Sequence, residues 1–125
     1  MSDNVIFSYT RQEALSDGVL VDLSDLAREA GFRWPLAATS RLYHEYLVPM
    51  ITLVYEGQST IGRVWDLLNV LKYDTNQAKP NSSIRFTVLF VMSPGTRPVP
   101  IDIVATVGPG DSGEPVITCL LPDED

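Results

Sequence analysis

The sequence has few of the residues that build disulfide and metal sites. Its 125 residues include one cysteine, Cys119, and one histidine, His44. A single cysteine excludes an intramolecular disulfide, and one residue of each type excludes a zinc site made of several cysteines or histidines. We therefore expect no metal and no cofactor, and a reduced thiol, which is typical of a cytoplasmic protein.

Positive charge and long apolar runs are also scarce. Lys and Arg number 9 against 16 Asp and Glu, so the formal net charge is −7. Direct binding of nucleic acid through a generally basic surface is not expected, because phosphate binding needs clustered Lys and Arg. No run approaches the roughly 18 apolar residues of a membrane-spanning helix, and the N-terminus lacks the pattern of a signal peptide. These features predict a cytoplasmic protein that does not enter a membrane.

The composition supports a folded core in one domain. Apolar residues make up 45% of the chain and charged residues 20%, which is outside the range typical of disordered proteins. The length fits one compact unit. We predict a single α+β domain over residues 1–125.

Capping signals predict short helices in the N-terminal half. Thr10 and Glu13 match the S/T-x-x-E capping box, and Gly18 can end that helix in the left-handed conformation. A second short helix is predicted over residues 25–30, and a third begins after Thr39 or Ser40 and kinks or stops at Pro49. The pattern of residues 50–55, from Met50 to Tyr55, fits either a helix or a strand.

The C-terminal half contains the strongest periodic signals. Apolar residues at helical spacing predict a largely buried helix over about residues 60–73. Its apolar stripe is Ile61, Val64, Trp65, Leu68 and Leu71. Residues 84–92, 101–107 and 116–121 read as strands joined by short loops, which predicts an antiparallel sheet of at least three C-terminal strands. The last strand is apolar on both faces, so we place it centrally or under a helix.

Charge is unevenly distributed along the chain. Residues 1–58 carry −4, residues 59–100 carry +3 and residues 101–125 carry −6. The basic side chains of the middle segment read as a solvated face, namely Arg63, Lys72, Arg85 and Arg97. The acidic end predicts either a solvating tail or a patch that meets a basic partner. The residues of this predicted patch are Asp102, Asp111, Glu114, Asp123, Glu124 and Asp125.

Two features could carry catalysis, and each has a structural interpretation. The string from Gly110 to Gly113, GDSG, is like the nucleophile segment of trypsin-like proteases. A serine nucleophile needs an oriented base, His44 is the one imidazole present, and a tight turn would select the same residues. We therefore read the string as a turn. His44 with a carboxylate is the one acid–base pair the chain offers, but nothing in the sequence selects that carboxylate.

Three segments carry a family resemblance. They are residues 8–32, containing DGVLVD and AREAGF, residues 62–68, GRVWDLL, and residues 107–125, containing VGPGD and ending in LPDED. Together they resemble a family of small uncharacterised proteins carried by bacterial plasmids, integrated elements and phages. The resemblance implies a bacterial host cell and no particular activity.

The functional hypothesis is a non-enzymatic accessory protein of a mobile genetic element that acts by binding another macromolecule. Its concrete form is an acidic, DNA-mimic-like inhibitor of a host DNA-binding or defence protein, with carboxylates occupying a site meant for phosphate. The partner is then a protein with a basic surface. The alternatives are a small enzyme that uses His44 with a carboxylate, and a homo-oligomeric structural subunit, such as a homodimer, that buries residues 50–55.

Overall fold

The computed structural model describes residues 9–75 and 82–125, and in these residues an α+β architecture is confirmed. The sheet has five strands: β1 (Leu20–Asp22), β2 (Leu36–Thr39), β3 (Ser83–Phe90), β4 (Val99–Pro109) and β5 (Pro115–Leu120). Their order across the sheet is β1-β2-β5-β4-β3.

The three C-terminal strands form the predicted antiparallel unit. β4 pairs with β3 on one side and with β5 on the other, with Phe86 opposite Ile103 and Ala105 opposite Cys119. The sheet as a whole is mixed rather than wholly antiparallel, because β2 runs parallel to β5 with Leu36 opposite Ile117. A parallel pair needs a long connection, and the chain between β2 and β5 contains three α-helices, a π-helical turn and two further strands. β5 is central, as its two apolar faces predicted.

The predicted capping signals appear in the first short helices. The helix α1 (Arg11–Ser16) begins with the Thr10–Glu13 capping box, and Gly18 follows it with a positive φ of 80°. The helix α2 (Ser24–Glu29) receives no side-chain cap, but the Ser24 amide donates to Asp22 Oδ1 at 3.0 Å.

The segment before Pro49 is helical in two forms. The short helix α3 (Ser40–Leu42) is capped by Thr39 and continues as one π-helical turn over Tyr43–Leu47. It ends at Val48, whose backbone is extended, because the residue before a proline is disfavoured in the helical region. The open question at residues 50–55 is answered by a short helix, α4 (Ile51–Val54).

The long helix α5 (Thr60–Thr75) packs on one face of the sheet and forms the centre of the core. Ser59 accepts the Gly62 amide at 2.9 Å and so caps its first turn. The side chains of Val64, Leu68 and Leu71 are fully buried, as the stripe predicted. Ile61 is an exception at 59% exposed, because it lies in the first turn of α5, beyond the core.

Arg63 differs most from its predicted place. We expected a solvated side chain, but Arg63 is buried, with 2% of its surface accessible. Its Nη1 donates to the Tyr46 carbonyl at 2.6 Å and its Nη2 to the Val91 carbonyl at 2.5 Å. Both carbonyls lie at the end of a helix or strand, where the regular pattern of backbone hydrogen-bond donors stops. Arg63 therefore ties the π-helical turn to the end of β3.

Candidate functional site

A cleft of about 210 Å³ lies beside the N-terminal end of α1. Sites for drug-sized ligands span roughly 300–1,000 Å³, so this cleft is the size for one side chain rather than a metabolite. Its lining residues come from α1, β1, α2, the residue before β2, the β4–β5 turn and β5: Arg11, Gln12, Leu15, Asp22, Ser24, Pro35, Asp111, Glu114 and Val116.

Asp111 joins the β4–β5 turn to α1. Its two carboxylate oxygens accept the backbone amides of Arg11 at 2.8 Å and Gln12 at 3.0 Å. These are among the first amides of the helix, which have no partner within it. The bonds from the Gln12 and Arg11 amides lower the pKa of Asp111 below its ordinary range, so Asp111 is ionised at neutral pH.

Glu114 lies over the same turn. Its Oε1 accepts the Ser112 amide at 3.0 Å. A Cβ at Gly110 would overlap the Glu114 carboxylate, so glycine at position 110 leaves the space that this carboxylate occupies. The Gly113 backbone has a φ of 84°, a conformation that glycine adopts without strain.

Arg11 is the one basic side chain in the cleft lining, and it is already bonded. It is partly buried, and its guanidinium donates to Thr118 Oγ1 at 2.7 Å and to the Ile117 carbonyl at 2.9 Å. Burial lowers the pKa of Arg11, and the nearby carboxylates of Asp22, Asp111 and Glu114 oppose that shift. Three carboxylates against one guanidinium leave the cleft with an excess of negative charge.

A second, more open depression of about 350 Å³ lies at the C-terminal end of α1. Its lining residues are Asp17, Gly18, Val19, Thr39, Ser40, Arg41 and Glu124. Here Arg41 donates to Asp123 at 2.6 Å, which lowers the pKa of the Asp123 carboxyl. The Thr39 hydroxyl donates to Glu124 at 3.1 Å. The chain end is therefore attached to the β2–α3 junction.

The two clefts define what we call the acidic face. It consists of six carboxylate residues around the ends of α1: Asp17, Asp22, Asp111, Glu114, Asp123 and Glu124. Two guanidinium groups, those of Arg11 and Arg41, accompany them. The local excess of negative charge is therefore four.

The acidic face contains four of the six residues predicted from the sequence. Asp102 lies elsewhere, on β4, where it accepts the Thr87 hydroxyl at 2.7 Å and faces Arg85 at 3.4 Å. At roughly 3.3 Å per residue, Asp102 is about 23 Å along the strand from Pro109. Asp125 is exposed after the 3₁₀ turn of Pro122–Glu124. Asp17 and Asp22 were not among the predicted residues, because they lie far along the chain from the other four and give no local signal.

The residues considered for catalysis lie apart. His44 is exposed, and its Nδ1 lies 2.9 Å from the Ser40 carbonyl and 3.2 Å from the Ser40 hydroxyl. Ser112 is in the β4–β5 turn, at the other end of β5 from His44. Cys119 is buried in β5, and burial raises the pKa of its thiol to about 12.

Neither a cluster of metal ligands nor a helix able to cross a bilayer occurs among the described residues. Over residues 9–75 and 82–125, no three His, Cys, Asp or Glu side chains are grouped in a way that could hold a metal ion. Among the helices of the described ranges, none combines the length and apolar character needed to cross a bilayer.

Comparison with known proteins assigns a family. No curated protein and no solved structure matches the chain. A family model described as a family of unknown function, DUF6573, matches residues 1–125. The chain therefore belongs to the family of unknown function DUF6573.

Proposed function

We propose that this protein is a non-enzymatic binding protein that recognises a basic surface of a protein partner through the acidic face. One observation carries the proposal: carboxylates from four separate parts of the chain surround the two ends of α1 with a local excess of four negative charges. A partner that covers α1 would meet both clefts at once. A guanidinium or ammonium group in the smaller cleft would lie near Asp22, Asp111 and Glu114.

The cellular setting forms the finer part of the proposal. The protein acts in the cytoplasm of a bacterial cell as an accessory protein of a plasmid, phage or integrated element. Its target is a DNA-binding or defence protein of the host, and the carboxylates occupy the site meant for phosphate. The net charge of −7 supports a basic protein rather than nucleic acid as the partner.

The first test measures binding of a fluorescent arginine-rich peptide of about ten residues by anisotropy. The variant is Asp22→Asn with Glu114→Gln, because both amides keep an oxygen to accept the Ser24 and Ser112 amides. The control removes two charges elsewhere, Asp25→Asn with Asp102→Asn. We expect the cleft variant to weaken binding roughly tenfold and the control to weaken it by less than about twofold at equal salt.

Salt dependence separates recognition of charge from other modes. Binding between exposed charges weakens as salt screens them, over a Debye length of about 8 Å at 0.15 M. A peptide affinity that stays constant between low and high salt would contradict the proposal. Equal losses of peptide affinity in the cleft variant and the control would also contradict the proposal, because binding would then depend on the net charge of the chain and not on the acidic face.

The DNA-mimic form has its own test. The protein is added to a complex of a basic bacterial nucleoid protein with a labelled DNA duplex, and release of the duplex is followed by anisotropy. Release by the natural chain and loss of release in the cleft variant support mimicry. If the protein binds the arginine-rich peptide but releases no DNA duplex, recognition of a basic partner would still stand and the DNA-mimic form would be refuted.

A further inference from the structure

Exposed apolar side chains surround α4, away from the acidic face. Leu53 is buried and fixes this short helix to the core, while the residues on either side of it point to solvent. Tyr55 is 84% exposed and Ile51 is 67% exposed. We call the following set the apolar surface: Met50, Ile51, Val54, Tyr55 and Ile61.

A tight turn separates Ile61, in the first turn of α5, from the other four residues. The Gly57 amide donates to the Val54 carbonyl at 3.1 Å, and the Gln58 amide donates to the Leu53 carbonyl at 3.0 Å. Gly57 has a φ of 97°, which allows the chain to reverse at this point. The chain then enters α5, whose first turn carries Ile61.

The area of this surface approaches what a dimer interface needs. A free large apolar side chain has roughly 150–200 Å² of accessible surface. The exposed fractions of the five residues then correspond to roughly 450–600 Å² per copy, within the range of the largest apolar patch on a typical monomer. Stable interfaces bury roughly 800 Å² per partner. Exposed neighbours such as Thr52 and Glu56 would supply a polar rim.

We propose that two copies of this chain associate through the apolar surface in a symmetric homodimer. None of its five residues is charged, so the surface can face itself without placing like charges together. Each copy carries −7, so burial of the apolar side chains has to outweigh the repulsion between the two copies. Homodimer interfaces are also the more apolar class. The proposal is independent of the acidic face, which lies around α1.

The test measures the mass in solution by light scattering and sedimentation, between about 1 and 200 µM. We expect a particle of twice the chain mass of 13.8 kDa. Ile51→Asp places a carboxylate in the first turn of α4, where the helix dipole tolerates it. It should raise the dimer dissociation constant by roughly thirtyfold or more, and Tyr55→Ser is a second variant without added charge. The control, Leu89→Asp, adds the same charge at an exposed apolar residue of β3 and should leave the dimer intact.

Salt provides a second readout with a definite sign. Screening reduces repulsion between the two acidic copies, so the dimer should strengthen as salt rises, whereas peptide binding to the acidic face should weaken. If the natural chain stays monomeric over the whole concentration range, the proposal is overturned, and the apolar surface would then bind a different protein. A dimer unaffected by both Ile51→Asp and Tyr55→Ser would overturn it as well, because another surface would then hold the copies together.

Discussion

Replacing Arg63 tests whether a charged side chain holds the core together. Arg63→Met keeps a long apolar stem but leaves the Tyr46 and Val91 carbonyls without their donors. Hydrogen bonds to a charged group contribute about 1.5–3 kcal/mol each. The substitution also removes two unfavourable contributions. These are the desolvation of the buried charge and the burial of Arg63 Nε, which has no hydrogen-bond partner among the described residues. We therefore expect a loss of about 3 kcal/mol in the free energy of unfolding, at the lower end of the sum.

The assay is urea unfolding followed by the fluorescence of Trp34 and Trp65. For a chain of this length the loss corresponds to a fall in Tm of about 12 °C. Arg63→Lys should be at least as damaging, because one ammonium stays buried and cannot serve both carbonyls. The control is Arg85→Met, since Arg85 is exposed on β3 and its loss should change stability by about 0.5 kcal/mol or less. Equal effects at positions 63 and 85 would refute the buried position of Arg63.

Three further outcomes follow from single side chains. Cys119 should react with a thiol reagent only as fast as the chain unfolds, because the thiol is buried with a pKa of about 12. Thr10→Ala should cost about 1 kcal/mol in thermal unfolding while Thr10→Ser restores most of it, because a hydroxyl at that position accepts the Glu13 amide. Asp111→Asn should reduce the pH dependence of stability: because the folded pKa of Asp111 lies below its ordinary 3.8, its contribution is present above that value and is lost as pH falls through the folded pKa. The difference in unfolding free energy between the natural chain and Asp111→Asn should therefore be constant above about pH 5 and shrink in more acidic solution.

Local signals were enough to predict most of the elements. The capping box at Thr10 and the stop at Gly18 bound α1 as expected, because both depend on contacts within a few residues. The alternation of β3 reflects one buried face and one exposed face, whereas β4 buries three consecutive residues, 103–105. The choice between helix and strand for residues 50–55 needed the structure, because four residues are too few for periodicity to decide.

Contacts between distant residues could not be predicted. The parallel pairing of β2 with β5 joins Leu36 to Ile117 across most of the chain, and no local pattern encodes it. Arg63 stands between apolar residues on α5, and its acceptors are backbone carbonyls of two other elements. Backbone carbonyls are present at every residue, so a sequence gives no sign of which ones a guanidinium will meet.

The candidate site shows the same division. The charge distribution along the sequence pointed to the acids near the chain end, and four of those six residues lie on the acidic face. The position of Asp22 in the same cleft as Asp111 and Glu114 results from the fold, and the sequence alone does not predict it. Asp102 is far from that turn because β4 is eleven residues long. The prediction that these residues bind a partner stays a prediction.

The most direct test of the acidic face is a residue-by-residue map of binding. The ¹⁵N-labelled protein is titrated with the arginine-rich peptide at low salt, and amide chemical shifts are followed by NMR. We predict that the largest shifts fall on residues 11–17, 110–114 and 122–124, the segments around the two clefts, and that they fade in Asp22→Asn with Glu114→Gln. Shifts confined to residues 50–61, or an unchanged spectrum at saturating peptide, would contradict the proposed function.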